Sequence, residues 1–117
     1  MITALHTLVY ADDPDAARAF FRDVLGWPHV DAHGGWLIFR TGPSELGVHP
    51  TMAPGTAHHE ITLMCDDIDS TVAELTAKGA QFTEVRDEGF GRTASMVVPG
   101  AGQMLVYQPR HPTAADL

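Results

Sequence analysis

The chain has one cysteine, a deficit of basic residues and no long apolar run, and each shortage removes a class of function. Cys65 stands alone among 117 residues, so neither an intramolecular disulfide nor a cysteine-rich zinc framework can form. Seven Lys and Arg face 15 Asp and Glu, a formal net charge of −8. That charge repels phosphate backbones and anionic lipid, and the basic residues are too scattered to make a patch, so nucleic acid and membrane surfaces are excluded as partners. No apolar run reaches membrane-spanning length, and the N-terminus lacks the basic-then-apolar order of a signal peptide, so the expected location is the cytoplasm. Hydrophobic residues make up 44% of the chain, enough for the core of one domain. The composition has one excess, seven histidines.

The chain repeats itself. Residues 5–13 (LHTLVYADD) match residues 59–67 (HEITLMCDD) at an offset of 54, and residues 42–49 match residues 100–107 at an offset of 58. A helical stripe follows each Asp-Asp: Ala17, Phe20, Phe21, Val24 and Leu25 in the first half, Ile68, Val72 and Leu75 in the second. Asp13 and Asp67 are placed to cap these helices, with Pro14 at the first helical position, and Gly26 and Gly79 are placed to end them. Beyond each helix the period changes to 2, predicting strands at 28–32, 36–40 and 45–49, then at 81–87, 91–98 and 103–108. The expected fold is α+β: two tandem βαβββ modules, about 1–50 and 58–109, pairing into one cleft-forming curved sheet. They make a single domain over 1–109, with a linker at about 50–57 and a flexible tail at 110–117.

Strand parity predicts which side chains face the cleft. Ile61, Leu63 and Cys65 point toward the helix, leaving Glu60, Thr62 and Met64 opposite. The first half places Leu5, Thr7 and Val9 toward the helix and His6, Leu8 and Tyr10 opposite, with Gly47 and His49 on the cleft side of the fourth strand. The expected cleft lining is Leu8, Tyr10, Met64, Leu105 and Tyr107, with Trp36 or Phe39 from a neighbouring strand and Phe90 on a loop that closes over the opening. Arg40 and Arg92 are candidate anchors for an anionic group, although isolated surface arginines are the commoner case. Cys65 reads as a small buried hydrophobe, and Asp12, Asp13, Asp66 and Asp67 read as helix-start residues rather than a catalytic cluster.

The doubled βαβββ order, the two Asp-Asp segments, the FFRDVLGW helix end at 20–27 and the VPGAG turn at 98–102 together resemble the vicinal oxygen chelate superfamily. That group includes glyoxalase I, extradiol dioxygenases, fosfomycin-resistance enzymes and bleomycin-resistance proteins. The resemblance implies a homodimer and a small-molecule ligand. It also implies a divalent metal (Zn²⁺, Fe²⁺, Mn²⁺, Ni²⁺ or Co²⁺) held at positions that here are His6, Gly47, Glu60 and Leu105. Glycine and leucine supply no ligand atom, so the family set is incomplete. His49 lies about 6.5 to 7 Å beyond Gly47 on the same face. If the metal shifts that way, His6, His49 and Glu60 make a two-histidine, one-carboxylate set, with Glu60 or His49 as the proton-handling catalytic group. Two readings stay open: a metal-dependent enzyme of isomerase, lyase or dioxygenase type, and a metal-free ligand-sequestering protein of the bleomycin-resistance type. Whether the modules pair within one chain or across a swapped dimer is equally open.

Overall fold

The computed structural model describes residues 6–117. Helix α1 spans Pro14–Asp23, strands β1 and β2 span His29–Asp31 and Leu37–Phe39, and β3 spans Thr62–Met64. Helix α2 follows at Ile68–Ala77, then β4 at Arg86–Asp87, β5 at Gly91–Val97 and β6 at Gln103–Pro109. Both helices start as their sequences require. The Asp13 carboxylate accepts the Ala16 N–H at 3.1 Å, and the Asp67 carboxylate accepts the Ser70 N–H at 3.0 Å. A further free donor of α2, the Ile68 N–H, is taken by the Gln108 side-chain oxygen at 3.0 Å, which ties the helix to β6.

The second half builds a four-stranded sheet in the order β3-β6-β5-β4. Strand β3 runs parallel to β6, and the other neighbours are antiparallel. Its helix face is the core: Ala94, Met96 and Val98 along β5 and just past its end, Met104 and Val106 on β6, and Ile68 of α2, joined by Ala17, Phe20 and Phe21 of α1. Cys65 packs at the margin of this cluster, and burial pushes its thiol above the ordinary value, as suits a side chain on the helix side. The first half contributes a hairpin of β1 and β2, paired from His29 opposite Phe39 to Asp31 opposite Leu37. Phe21 stacks on Trp27 with ring centroids 5.2 Å apart and meets Phe39 edge-on at 5.7 Å, which fastens the hairpin to α1.

The first half departs from the expected plan in two places. Residues 45–49 form no strand, and neither do residues 6–10, the described part of the expected first strand. Both segments have the alternating pattern, but alternation fixes only which side chains share a face. A strand also needs a neighbour for its N–H and C=O groups, and neither segment has one among the described residues. The strand expected over 81–87 is reduced to Arg86–Asp87 plus one bridge from Phe82 to Met96.

The halves meet where the Asp13 N–H donates to the Gly100 carbonyl at 3.0 Å. Gly100 has φ +74°, and a Cβ there would lie 2.6 Å from both Cβ and the carbonyl oxygen of Asp13. Gly100→Ala is therefore expected to cost about 1–3 kcal/mol from backbone strain and the clash. Ile68, fully buried, is expected to cost about 2–5 kcal/mol as Ile68→Ala. Urea denaturation of each variant measures both losses.

Candidate functional site

The register of the large sheet sets out its second face in rows. Thr62, Leu105 and Ser95 lie side by side across β3, β6 and β5, and Met64, Tyr107, Thr93 and Arg86 make the next row. Two concavities open on this side of the sheet. One, of about 400 Å³, is bordered by Glu60, Thr62, Gln103, Leu105 and Val9; the other, of about 300 Å³, by Glu84, Arg86, Glu88, Ser95 and Leu105. Leu105 borders both and separates a carboxylate at one end from a mixed cluster of two carboxylates and a guanidinium at the other. Volumes of this order suit a small organic molecule.

Glu60 does not meet His6 or His49. Its carboxylate oxygen lies 3.0 Å from Nε2 of His58, while Nδ1 of the same ring lies 2.8 Å from the Thr56 carbonyl. Both ring nitrogens thus face acceptors, an arrangement that only the protonated imidazolium satisfies fully. The Thr56 carbonyl first and the Glu60 carboxylate second raise the His58 pKa above the ordinary imidazole value. His49 instead turns back on its own chain, with Nδ1 2.7 Å from the Pro50 carbonyl. His6 is exposed, and among the described residues no group of three or more His, Cys, Asp and Glu is gathered closely enough to hold a metal ion.

The cleft residues divide in the same way. Met64, Leu105 and Tyr107 share the face of the sheet away from the helices, where Leu105 alone of the three borders the concavities, and Phe90 meets Tyr107 edge-on with centroids 5.6 Å apart. Leu8, Tyr10 and Trp36 are exposed to solvent, with the Arg18 guanidinium over the Trp36 ring at 5.0 Å. Arg92 is committed elsewhere, holding Asp69 of α2 through contacts of 2.7 and 3.3 Å.

Sequence reasoning missed two features. The Thr93, Ser95 and Arg86 side of the cleft was readable from the alternation of residues 91–98, which sets Thr93 and Ser95 beside Tyr107 and Leu105. The tail had no such signal. Arg110 is fixed to Asp87 by a two-pronged ion pair, whose Nη2 contact is 2.6 Å. The Ala114 N–H donates to Glu45 at 2.6 Å, and His111 covers Tyr107. Nδ1 of His111 lies 2.8 Å from the Pro112 carbonyl, and its Nε2 lies 3.1 Å from the Tyr107 hydroxyl. Burial first, then the Glu45 charge, raises the Tyr107 pKa. Arg110, aided by the Gly89 N–H, holds the Asp87 carboxyl down at about 2.

The family model described as Glyoxalase/Bleomycin resistance protein/Dioxygenase superfamily matches residues 3–109. CFP32 proteins of Mycobacterium bovis and Mycobacterium tuberculosis, provisionally named glyoxylases, are 30% identical over 116 residues. That match takes in 92% of this chain but 44% of theirs, so the chain spans about half the length of these curated relatives. Among solved structures, the antibiotic binding protein TnmS3 from Streptomyces sp. CB03234 aligns with a TM-score of 0.62 at 23% identity, covering 92% of this chain and 99% of that one. Lactoylglutathione lyase from Agrobacterium tumefaciens aligns at 0.63 and 22% identity, covering 91% and 92%. The bleomycin resistance determinant of transposon Tn5 aligns at 0.57 and 22% identity, covering 86% and 92%. At these identities the structural likeness establishes the fold.

The His58 and Glu60 pair gives a pH test. Because the folded pKa of His58 is raised, the stabilisation from its charge is full below the unfolded imidazole value and is lost as pH rises through the folded one. An NMR titration should place the His58 midpoint above that of an exposed imidazole. Glu60→Gln should lower the midpoint only in part, since the Thr56 carbonyl remains.

Proposed function

Because this chain belongs to the Glyoxalase/Bleomycin resistance protein/Dioxygenase superfamily, we propose that it binds a small organic molecule on the concave face around Leu105 without using a family metal centre. The observation that carries this reading is the donor set. Of the four positions to which the resemblance assigns metal ligands, Gly47 and Leu105 offer no ligand atom, and the carboxylate at the third, Glu60, is engaged by His58. Two protein donors are fewer than an ordinary catalytic metal site uses, so a divalent ion does not fit these residues.

The groups that remain suit recognition. Leu105 and Met64 offer apolar area, Tyr107 and Phe90 an aromatic wall, and Ser95, Arg86, Glu84 and Glu88 polar contacts that orient a ligand. The antibiotic-binding and bleomycin-resistance structures with this fold bear names that accord with sequestration, and the Agrobacterium lyase bears one that accords with catalysis. The proposal includes self-association as a homodimer, because open strand edges need a cover, and a cytoplasmic location, where a lone thiol stays reduced.

Calorimetric titration of tag-free protein with Zn²⁺, Mn²⁺, Ni²⁺, Co²⁺ and anaerobic Fe²⁺ should show no stoichiometric binding. One equivalent bound by the wild type and lost in a His6→Ala, Glu60→Ala double variant would establish the alternative, a metal-dependent enzyme using His6, His49 and Glu60. A panel of small aromatic and amine-bearing compounds followed by NMR should shift the Leu105 and Ser95 amides, and Leu105→Asp should abolish those shifts while leaving the core resonances in place.

A further inference from the structure

Tyr107 stands on the face of the sheet away from the helices, beside residues that border a concavity, yet its own ring borders none among the described residues. Thr93 and Arg86, its neighbours across β5 and β4, border the 300 Å³ concavity, and Leu105, two residues back on the same strand, borders both. The Tyr107 ring is taken up by two others. Phe90 meets it edge-on with centroids 5.6 Å apart, and the His111 ring lies at 5.9 Å with Nε2 3.1 Å from the hydroxyl.

The segment that brings His111 there is pinned at both ends. At its start the Arg110 N–H donates to the Phe90 carbonyl at 2.8 Å, and the guanidinium holds Asp87 of β4 through two contacts, that of Nη2 being 2.6 Å. At its far end the Ala114 N–H donates to the Glu45 carboxylate at 2.6 Å, a contact between residues 69 positions apart. Residues 110–114 thus cross from the edge of the sheet to the first half, with His111 between the anchors. Asp87 is held at about 2, so the first anchor stays charged at neutral pH. Burial first and the Glu45 charge second raise the Tyr107 pKa, which places the second anchor and the phenol in one cluster.

These anchors are surface contacts. Arg110 and Asp87 are exposed, and an exposed ion pair contributes little to stability. Residues 110–114 add no side chain to the core, whereas the sheet beneath them carries Ala94, Met96, Met104 and Val106 in it. A segment held in this way opens far more readily than the strands it crosses.

We propose that residues 110–114 form a strap that covers Tyr107 and must lift before this ring can serve a ligand, so that the strap competes with a small aromatic molecule for the Tyr107 end of the concave face. The competition rests on the binding reading above, whereas the covering of Tyr107 is tested without any ligand. A strap open about one tenth of the time lowers the apparent affinity at this end about tenfold.

The chain has two tyrosines, and Tyr10 is 90% exposed, so nitration by tetranitromethane followed by peptide mass spectrometry reads Tyr107 against an internal reference. In the wild type Tyr10 should be modified first. An Arg110→Ala, His111→Ala double variant should nitrate Tyr107 about tenfold faster, with Tyr10 unchanged. Arg110→Ala alone frees one anchor and keeps both covering rings, and it should move the rate the same way by less. Indole, followed by NMR, should bind the double variant about tenfold more tightly than the wild type and shift the Tyr107 amide as well as that of Leu105. Both replaced side chains are exposed, so amide protection along β5 and β6 should match the wild type. Equal nitration of Tyr107 in wild type and variants would overturn the strap. Faster nitration with unchanged indole affinity would overturn the competition. Indole bound by neither form would overturn the binding reading and the competition with it, while the nitration rates still decide whether the strap covers Tyr107.

Discussion

The structure depends most on one ladder, the seven-residue antiparallel pairing of β5 with β6 from Gly91 opposite Pro109 to Val97 opposite Gln103. It holds Ala94, Met96, Met104 and Val106 on the helix side while Thr93, Ser95, Leu105 and Tyr107 take the other. Side chains alternate with period two, so a slip of one residue between the strands would drive the core set into the cleft and the cleft set into the core. The buried apolar side chains on one face therefore fix the positions of the side chains on the other. The same ladder anchors the rest of the second half. Gln108 reaches from β6 to the first turn of α2, β3 adds alongside β6, and the turn that ends β5 presents Gly100 to the start of α1.

What could be read from the chain follows how local each determinant is. The helix starts at Asp13 and Asp67 rest on hydrogen bonds spanning three residues, and both are found as expected. The faces of β5 and β6 were legible because alternation and burial agree along the whole length of each strand. Residues 6–10 and 45–49 carry the same alternation, yet a strand is a property of a pair, and no local pattern states where its partner lies. The candidate site divides along the same line. Met64, Leu105 and Tyr107 gather because their strands pair. His6, His49 and Tyr10 do not join them, because the segments that carry them are unpaired. His58 was readable as sharing a face with Glu60, two residues on, whereas the contact of His111 with Tyr107 follows a loop path that no period describes.

Net charge proved a poor guide to the cleft. Much of the basic inventory is used in surface pairs: Arg92 with Asp69, Arg110 with Asp87, Arg22 with Asp23 and Arg18 with Asp15. Exposed pairs of this kind contribute little to stability. They do decide which charges remain to meet a ligand. With Arg92 and Arg110 engaged elsewhere, Arg86 is the cation bordering the 300 Å³ concavity, itself 4.0 Å from Glu84 and with Glu88 on the same lining. The −8 of the whole chain therefore reaches the concave face as a few carboxylates around an apolar strip.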